Sequence, residues 1–137
     1  MKFLSGLLLI FILSNSCEQK ETFKTISYEA ITRGASYKLK IKDNELIVEN
    51  SREENSASNI QLTAEDLNEL YKLVGDFRAK TTDNIVLQAD KSAYDAAMRV
   101  NFILAGEHFS QSAEFDQGNA PESLKPLIDK LMELAKK

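Results

Sequence analysis

Residues 37–49 read Tyr-Lys-Leu-Lys-Ile-Lys-Asp-Asn-Glu-Leu-Ile-Val-Glu, and this stretch decides the fold. Tyr37, Leu39 and Ile41 alternate with Lys38, Lys40 and Lys42, so an extended segment here has one apolar and one cationic face. That period of two belongs to a strand with one side against a core. Asp43-Asn44 interrupts it, and both residue types tolerate the left-handed backbone angles of a two-residue hairpin turn. Glu45 to Glu49 then returns as a strand around Leu46, Ile47 and Val48. Upstream, Phe23 to Ile31 alternates in the same way, with Ile26, Tyr28 and Ala30 on one face and Ser27 and Glu29 on the other. Arg33-Gly34 marks the turn between this strand and the next.

Downstream, residues 50–59 (Asn-Ser-Arg-Glu-Glu-Asn-Ser-Ala-Ser-Asn) are expected as a polar loop. Thr63-Ala64-Glu65-Asp66 opens a helix, with Thr63 as N-cap, Asp66 at the capping-box position, and Leu62 and Leu67 as a hydrophobic staple. Leu67, Leu70, Tyr71, Val74 and Phe77 form its apolar stripe, and Gly75 weakens its last turn. Residues 78–93 are mixed, and Ile85-Val86-Leu87 reads either as a short strand or as a packed loop. Ala96–Leu104 reads as a strand, Ala105-Gly106 as a turn, and Glu107–Phe115 as a strand with Phe109, Ala113 and Phe115 on one face. A final helix carries Leu124, Leu127, Ile128, Leu131 and Leu134, with Ser123 as N-cap and Pro126 at the third helical position, where a missing N–H costs little. The order of three strands, helix, two strands, helix predicts an α+β domain over residues 23–137. Its sheet is expected to have about five antiparallel strands, with both helices on one face.

Of 137 residues, 43% are hydrophobic and 28% charged, enough for one domain with a core that needs no metal or disulfide. The single cysteine excludes an internal disulfide. The net charge is −4; without Lys2 it is near −5, and a mildly acidic chain lacks the clustered basic surface that nucleic acid demands. It also gains nothing from an anionic membrane surface.

Membrane attachment is expected instead from the N-terminus. Met1-Lys2 is a short positive start, Leu7 to Leu13 is uninterrupted apolar sequence, and Ser14-Asn15-Ser16-Cys17 is small and polar. This is signal-peptide architecture over residues 1–16. A membrane-crossing helix needs about 20 apolar residues, more than this stretch supplies. A buried N-terminal helix is the competing reading, and it would have no polar face. The segment resembles a lipobox, with Ser16 fitting and Ser14 standing where leucine is commonest. That resemblance implies cleavage before Cys17 and acylation of its thiol; the alternative is a free thiol in a secreted protein. Each buried CH₂ of an acyl chain contributes about 0.8 kcal/mol to attachment. Residues 17–22 then form the lipidated cysteine and a short linker. Glu18-Gln19-Lys20-Glu21 resembles the acidic signal that sends Bacteroidota lipoproteins to the outer face of the outer membrane, or it is a plain solvated linker. The expected address is the outer membrane, with the surface and periplasmic faces both open.

Candidate chemistry is sparse. His108 is the only histidine, and on a strand it shares a face with Ser110 and Ser112 rather than forming a nucleophile–base pair. One histidine and a lipidated cysteine cannot supply a zinc site. Asp90–Asp95 and Asp116–Asn119 are the only oxygen-rich loops offered to calcium, and neither has the EF-hand spacing. Glu53-Glu54 lies in a polar loop, where both carboxylates stay solvated. The Lys38, Lys40, Lys42 stripe either binds an anion or keeps a sheet face soluble and guards a strand edge. No glycine-rich phosphate loop is present among five glycines, and no cofactor is expected.

Three motifs are familiar together. Arg33-Gly34 follows the first strand, Ala89-Asp90-Lys91-Ser92-Ala93-Tyr94-Asp95-Ala96-Ala97 precedes the fourth, and Phe115-Asp116-Gln117-Gly118-Asn119-Ala120-Pro121 leads into the last helix. Over most of residues 24–135 the chain resembles small flavobacterial-type envelope lipoproteins of Bacteroidota, a family that brings no known activity. Those carry Ala-Pro-Ser/Thr then Asp-Gly-Ala in the middle loop and Phe-Asp-His-Gly-Asn-Pro-Pro before the last helix. This chain has Asp90 for the proline, Ala96 for the glycine, Gln117 for the histidine and Ala120 for the first proline. The loss of the histidine implies a structural loop rather than a catalytic one.

The expectation is a non-enzymatic binding or accessory module, anchored through Cys17, with an unknown protein or glycan partner. Its contact residues are expected in two loops, at Arg52, Glu53 and Glu54 and at Asp116, Gln117 and Asn119. The alternatives are a protein inhibitor of a hydrolase, or an enzyme using Asp95, Asp116 and His108.

Overall fold

The computed structural model describes residues 22–54, 57–86 and 98–137. The expected signal peptide, Cys17 and its linker to residue 21 lie outside the described residues, as does the segment 87–97 with Asp90, Asp95 and most of the middle motif. The alternating run 37–49 forms the predicted hairpin. β1 (Thr25–Thr32), β2 (Ala35–Lys42) and β3 (Glu45–Asn50) are consecutive antiparallel strands. Asp43 and Asn44 sit at φ 52° and 64°, so the β2–β3 turn uses the left-handed angles the sequence implies.

β4 (Ala57–Gln61) pairs antiparallel with β3, where a loop is expected over residues 50–59. The connection shrinks to a short tip, and Asn55-Ser56 within it lie outside the described residues. Its first turn is fastened locally: the Asn50 side-chain oxygen accepts from the Arg52 N–H at 3.1 Å, and the Ser51 hydroxyl accepts from the Ser36 N–H at 2.7 Å. β4 shows no apolar alternation, so its strand state comes from pairing with β3 rather than from its own sequence.

α1 (Ala64–Lys80) starts at Thr63 with the predicted capping box: the Thr63 hydroxyl accepts from the Asp66 N–H, and the Asp66 carboxylate accepts from the Thr63 N–H. Leu70, Val74 and Phe77 are buried along its stripe, and Gly75 is tolerated inside it. β5 (Ile85–Val86) follows. β6 (Arg99–Ala105) and β7 (Ser110–Asp116) form the second antiparallel hairpin, and α2 (Lys125–Leu134) closes the chain.

The sheet order is β4-β3-β2-β1-β6-β7-β5. It has seven strands rather than about five, and it is mixed, because β5 runs parallel to β7. α1 explains the odd strand: it leaves one edge of the sheet after β4 and delivers the chain to the other. Its 17 residues span ~25 Å at 1.5 Å per residue, close to the width of six inter-strand gaps at ~4.8 Å each. One buried cluster joins the inward residues of the strands (Ile26, Tyr28, Leu39, Ile41, Leu46, Phe102, Phe115) to the helix stripes (Leu70, Phe77, Leu127, Leu131). Both helices therefore cover one face, and among the described residues no element covers the other, the open face.

Several boundaries differ from expectation. β6 starts at Arg99 rather than Ala96 and takes in Ala105, which the sequence assigns to the turn. β7 begins at Ser110, so Glu107, His108 and Phe109 form the turn, closed by the Gly106 N–H donating to Phe109 O at 2.9 Å. A Cβ at Gly106 would collide with the Phe109 ring, which Arg78 covers with its guanidinium 3.5 Å from the ring centroid. α2 starts at Lys125 with Pro126 in its first turn and no side-chain cap, so Ser123 is not the N-cap.

The helices are tied by charge. Lys130 Nζ lies 2.7 Å from Glu69 on α1, and this pairing raises the Lys130 ammonium above its usual range. Lys137 Nζ donates to both Asp66 oxygens at 2.9 and 3.1 Å. That contact, with the Thr63 cap, holds the Asp66 carboxyl below its usual value against the opposing effect of burial. The stabilisation is complete above the unfolded-chain value of about 3.9 and is lost as pH falls through the lower folded value. Urea titrations through that acid range are expected to show a stability loss in the wild type that Asp66→Asn lacks. Parallel curves for the two proteins would show that the carboxylate carries no such linkage.

Candidate functional site

The register sorts the turns to two ends of the sheet. Tyr37 faces Asn50 on one side and Ala30 on the other; Ala30 faces Val100, and Val100 faces Phe115. The Arg33-Gly34 turn, the β3–β4 tip and the β7–α2 loop thus share one end. Phe23, the Asp43-Asn44 turn and the β6–β7 turn share the other, because Thr25 pairs with both Lys42 and Ala105. The eight residues of β1 separate the two ends by ~25 Å at about 3.3 Å per residue.

At the loop end, Arg52, Glu53 and Glu54 are exposed on the β3–β4 tip, and Glu53 accepts from the Asn50 amide at 3.0 Å. Gln117 and Asn119 are exposed in the loop before α2, where Gly118 supplies a φ of 84°. The two groups stand on strands four gaps apart, ~19 Å at ~4.8 Å per gap. Asp116 does not belong with them as a contact residue. It is 8% exposed, and its Oδ1 lies 3.5 Å from Arg99 Nη1, so it holds the loop to β6. The Gln117 N–H donates to Met98 O at 2.8 Å, and the Gln117 side chain opposes the burial-driven rise of the Tyr28 phenol. Beside this loop lies a cleft of about 230 Å³, floored by Tyr28 and Phe115 and rimmed by Asn119, Glu122, Lys125 and Asp129.

At the opposite end, a pocket of about 400 Å³ opens between the β2–β3 turn and the first two turns of α1. Phe23 and Tyr71 pack across it with ring centroids 5.2 Å apart, and Lys24, Lys42, Asp43 and Asn44 form its rim. Sequence reasoning did not single out Phe23, Lys24 or this pocket. The available signal was an aromatic residue just ahead of the first strand, coupled to the stripe residue Tyr71.

His108 and Asp116 sit at opposite ends of β7, so the His108–Asp116 pairing of the enzyme reading is not assembled; its third member, Asp95, lies outside the described residues. Among the described residues no three histidine, cysteine or carboxylate side chains cluster as metal ligands. The calcium loop candidate 90–95 lies outside them, and the other, 116–119, turns its aspartate toward Arg99. The lysine stripe lies on the open face, and Lys38 Nζ is 3.0 Å from Glu29. Because β2 is an inner strand, the stripe guards no edge. Gln111, inward on β7, donates from Nε2 to Thr81 O at 3.0 Å and Asp83 O at 2.8 Å, clasping the exit of α1 to the sheet. No helix among the described residues is long and apolar enough to cross a membrane. No known protein family, curated protein or solved structure matches this chain.

Proposed function

We propose that this chain is a cell-envelope lipoprotein, held at the outer membrane by an acylated Cys17, that works as a non-enzymatic binding or accessory module. Its contact surface is the loop end of the sheet, through Arg52, Glu53, Glu54, Gln117 and Asn119. The observation that supports this is the polarity of the sheet: the chain enters at Phe23, and the exposed loops stand a full strand length away. A module tethered through residues 17–22 would present those loops outward. The resemblance to flavobacterial envelope lipoproteins supports the same address.

Two measurements test it. Cys17→Ala is expected to move the protein from the membrane to the soluble fraction; a wild type that is already soluble would remove the anchor. Photo-crosslinking residues placed at Glu53 and Asn119 in intact cells are expected to capture the same partner, while one at Asp43 captures none. Equal capture from Asp43 would overturn the assignment of the contact surface to the loop end.

A further inference from the structure

The two edges of the sheet are unlike. β5 ends one edge with only two residues. β4 ends the other with five exposed or half-buried residues, Ala-Ser-Asn-Ile-Gln, that carry no charge and no proline, the devices that usually blunt an edge. The β2–β3 turn fixes which backbone groups are free. With a two-residue turn, Lys42 and Glu45 form a hydrogen-bonded pair, so Leu46 and Val48 bond to β4 instead. Their partners Ile60 and Ser58 point their backbone groups inward, as does Leu62, whose N–H donates to Asn44 O at 2.9 Å. The N–H and C=O groups of Ala57, Asn59 and Gln61 therefore point out of the sheet, with no backbone partner among the described residues.

A second observation names the strand that fits. On the open face, Glu29, Lys38 and Glu49 form one cross-strand row, and Lys38 pairs with Glu29 at 3.0 Å. Glu49 has no ion-pair partner among the described residues. Its neighbour toward the edge is Ala57, whose methyl leaves the way to Glu49 clear. On the helix face, the half-buried Val48 and Ile60 end the apolar layer. We propose that the β4 edge takes an extended segment of a partner protein as an eighth strand, with basic side chains on the open face toward Glu49 and apolar ones on the helix face beside Ile60. A basic side chain opposite Ala57 lies two inter-strand gaps from Glu49, ~10 Å, within the combined reach of arginine and glutamate. A second copy of this chain fits less well: pairing β4 with itself about Asn59 sets a second Gln61 opposite Ala57 and supplies no cation.

This rests on the binding-module reading but not on the loop-end contacts. Loss of crosslinks at Glu53 and Asn119 with β4 binding retained would remove that surface and leave this one. The probes are the peptides acetyl-Val-Arg-Val-Arg-Val-Arg-Val-amide and its glutamine and glutamate counterparts, titrated against the detergent-solubilised full chain by fluorescence polarisation and hydrogen exchange. The arginine peptide is expected to bind about fivefold more tightly than the glutamine peptide and to slow exchange at residues 57–61. Glu49→Gln is expected to abolish that preference while leaving glutamine-peptide affinity unchanged. Asn59→Pro, which removes an outward N–H at an edge position that accepts proline, is expected to abolish both. Equal affinity for the arginine and glutamate peptides, protection away from β4, or a dimer that protects 57–61 without peptide would each overturn the proposal. Should the proline variant misfold, Glu49→Gln decides alone, since that side chain is exposed and has no ion-pair partner among the described residues.

Discussion

Phe102→Ala is expected to lower the stability of the domain by about 3–5 kcal/mol, the largest effect of any single truncation considered for this chain. Phe102 is 1% exposed and lies on β6, between Tyr28 of β1 and Ala113 of β7. The cross-strand neighbour on the β7 side is an alanine, which cannot swing into the space that the ring vacates, so the lost burial and an unfilled cavity add. A domain of this size has roughly 5–15 kcal/mol in all, so this substitution removes a large share of it. Urea denaturation checks the expectation, with a lower midpoint and an unchanged slope. The neighbouring Ile103→Ala is the control. Ile103 is 45% exposed on the open face, and its truncation is expected to change stability by less than about 1 kcal/mol. Similar losses for both variants would mean that the open face is covered in solution.

Alkaline pH is expected to destabilise the protein through Tyr28. Burial pushes its phenol up to about 12 from the ordinary 10.0, with Tyr37 adding to the rise and Gln117 opposing it. The sign follows from the neutral form being favoured in the fold. Below pH 10 the stabilisation is intact. Between 10 and 12 the unfolded chain loses its proton first, and stability falls. The difference amounts to roughly 2–3 kcal/mol across that window. Tyr28→Phe is expected to abolish this loss, and because only a hydroxyl is removed, stability at neutral pH is expected to change by about 1 kcal/mol or less. Tyr37, also raised by burial and by Glu53, titrates in both proteins and cancels in the comparison. Denaturation at either end of the window, with phenolate absorbance as a second readout, checks it. An equal alkaline loss in wild type and Tyr28→Phe would show that the phenol ionises without opening the core.

The central sheet is legible in the sequence because its strands announce themselves. Leu39 and Ile41 between lysines, and Val100, Phe102 and Leu104 in β6, carry the period of two that a half-covered sheet imposes, and the Asp43-Asn44 turn carries the left-handed preference it needs. The capping box of α1 is equally local: four residues specify it. β4 and β5 are not legible, for a different reason. Ala57–Gln61 is polar and Ile85–Val86 is two residues long, so each owes its strand state to a neighbour already in place. The parallel pairing of β5 depends on the length of α1 across the sheet, which no local pattern encodes. At the site, exposure of Glu53 and Asn119 is readable from loop composition, whereas the burial of Asp116 is not, because it follows from where Arg99 lies across the β6–β7 register. Gln111 shares the parity of Ala113 and Phe115, and that parity alone places it inward.

The position of β1 also constrains how the chain reaches its fold. β1 pairs on one side with β2, its immediate successor, and on the other with β6, through Ile31–Arg99 and Thr25–Ala105. The meander β1 to β4 closes by short hairpins and can form as soon as those residues are available. The other side of β1 stays open until the chain beyond α1 has been made and brought back. Contacts so distant along the chain slow folding, because loop closure precedes any gain from pairing. A chain made from its N-terminus therefore delivers β1 first and its second neighbour late.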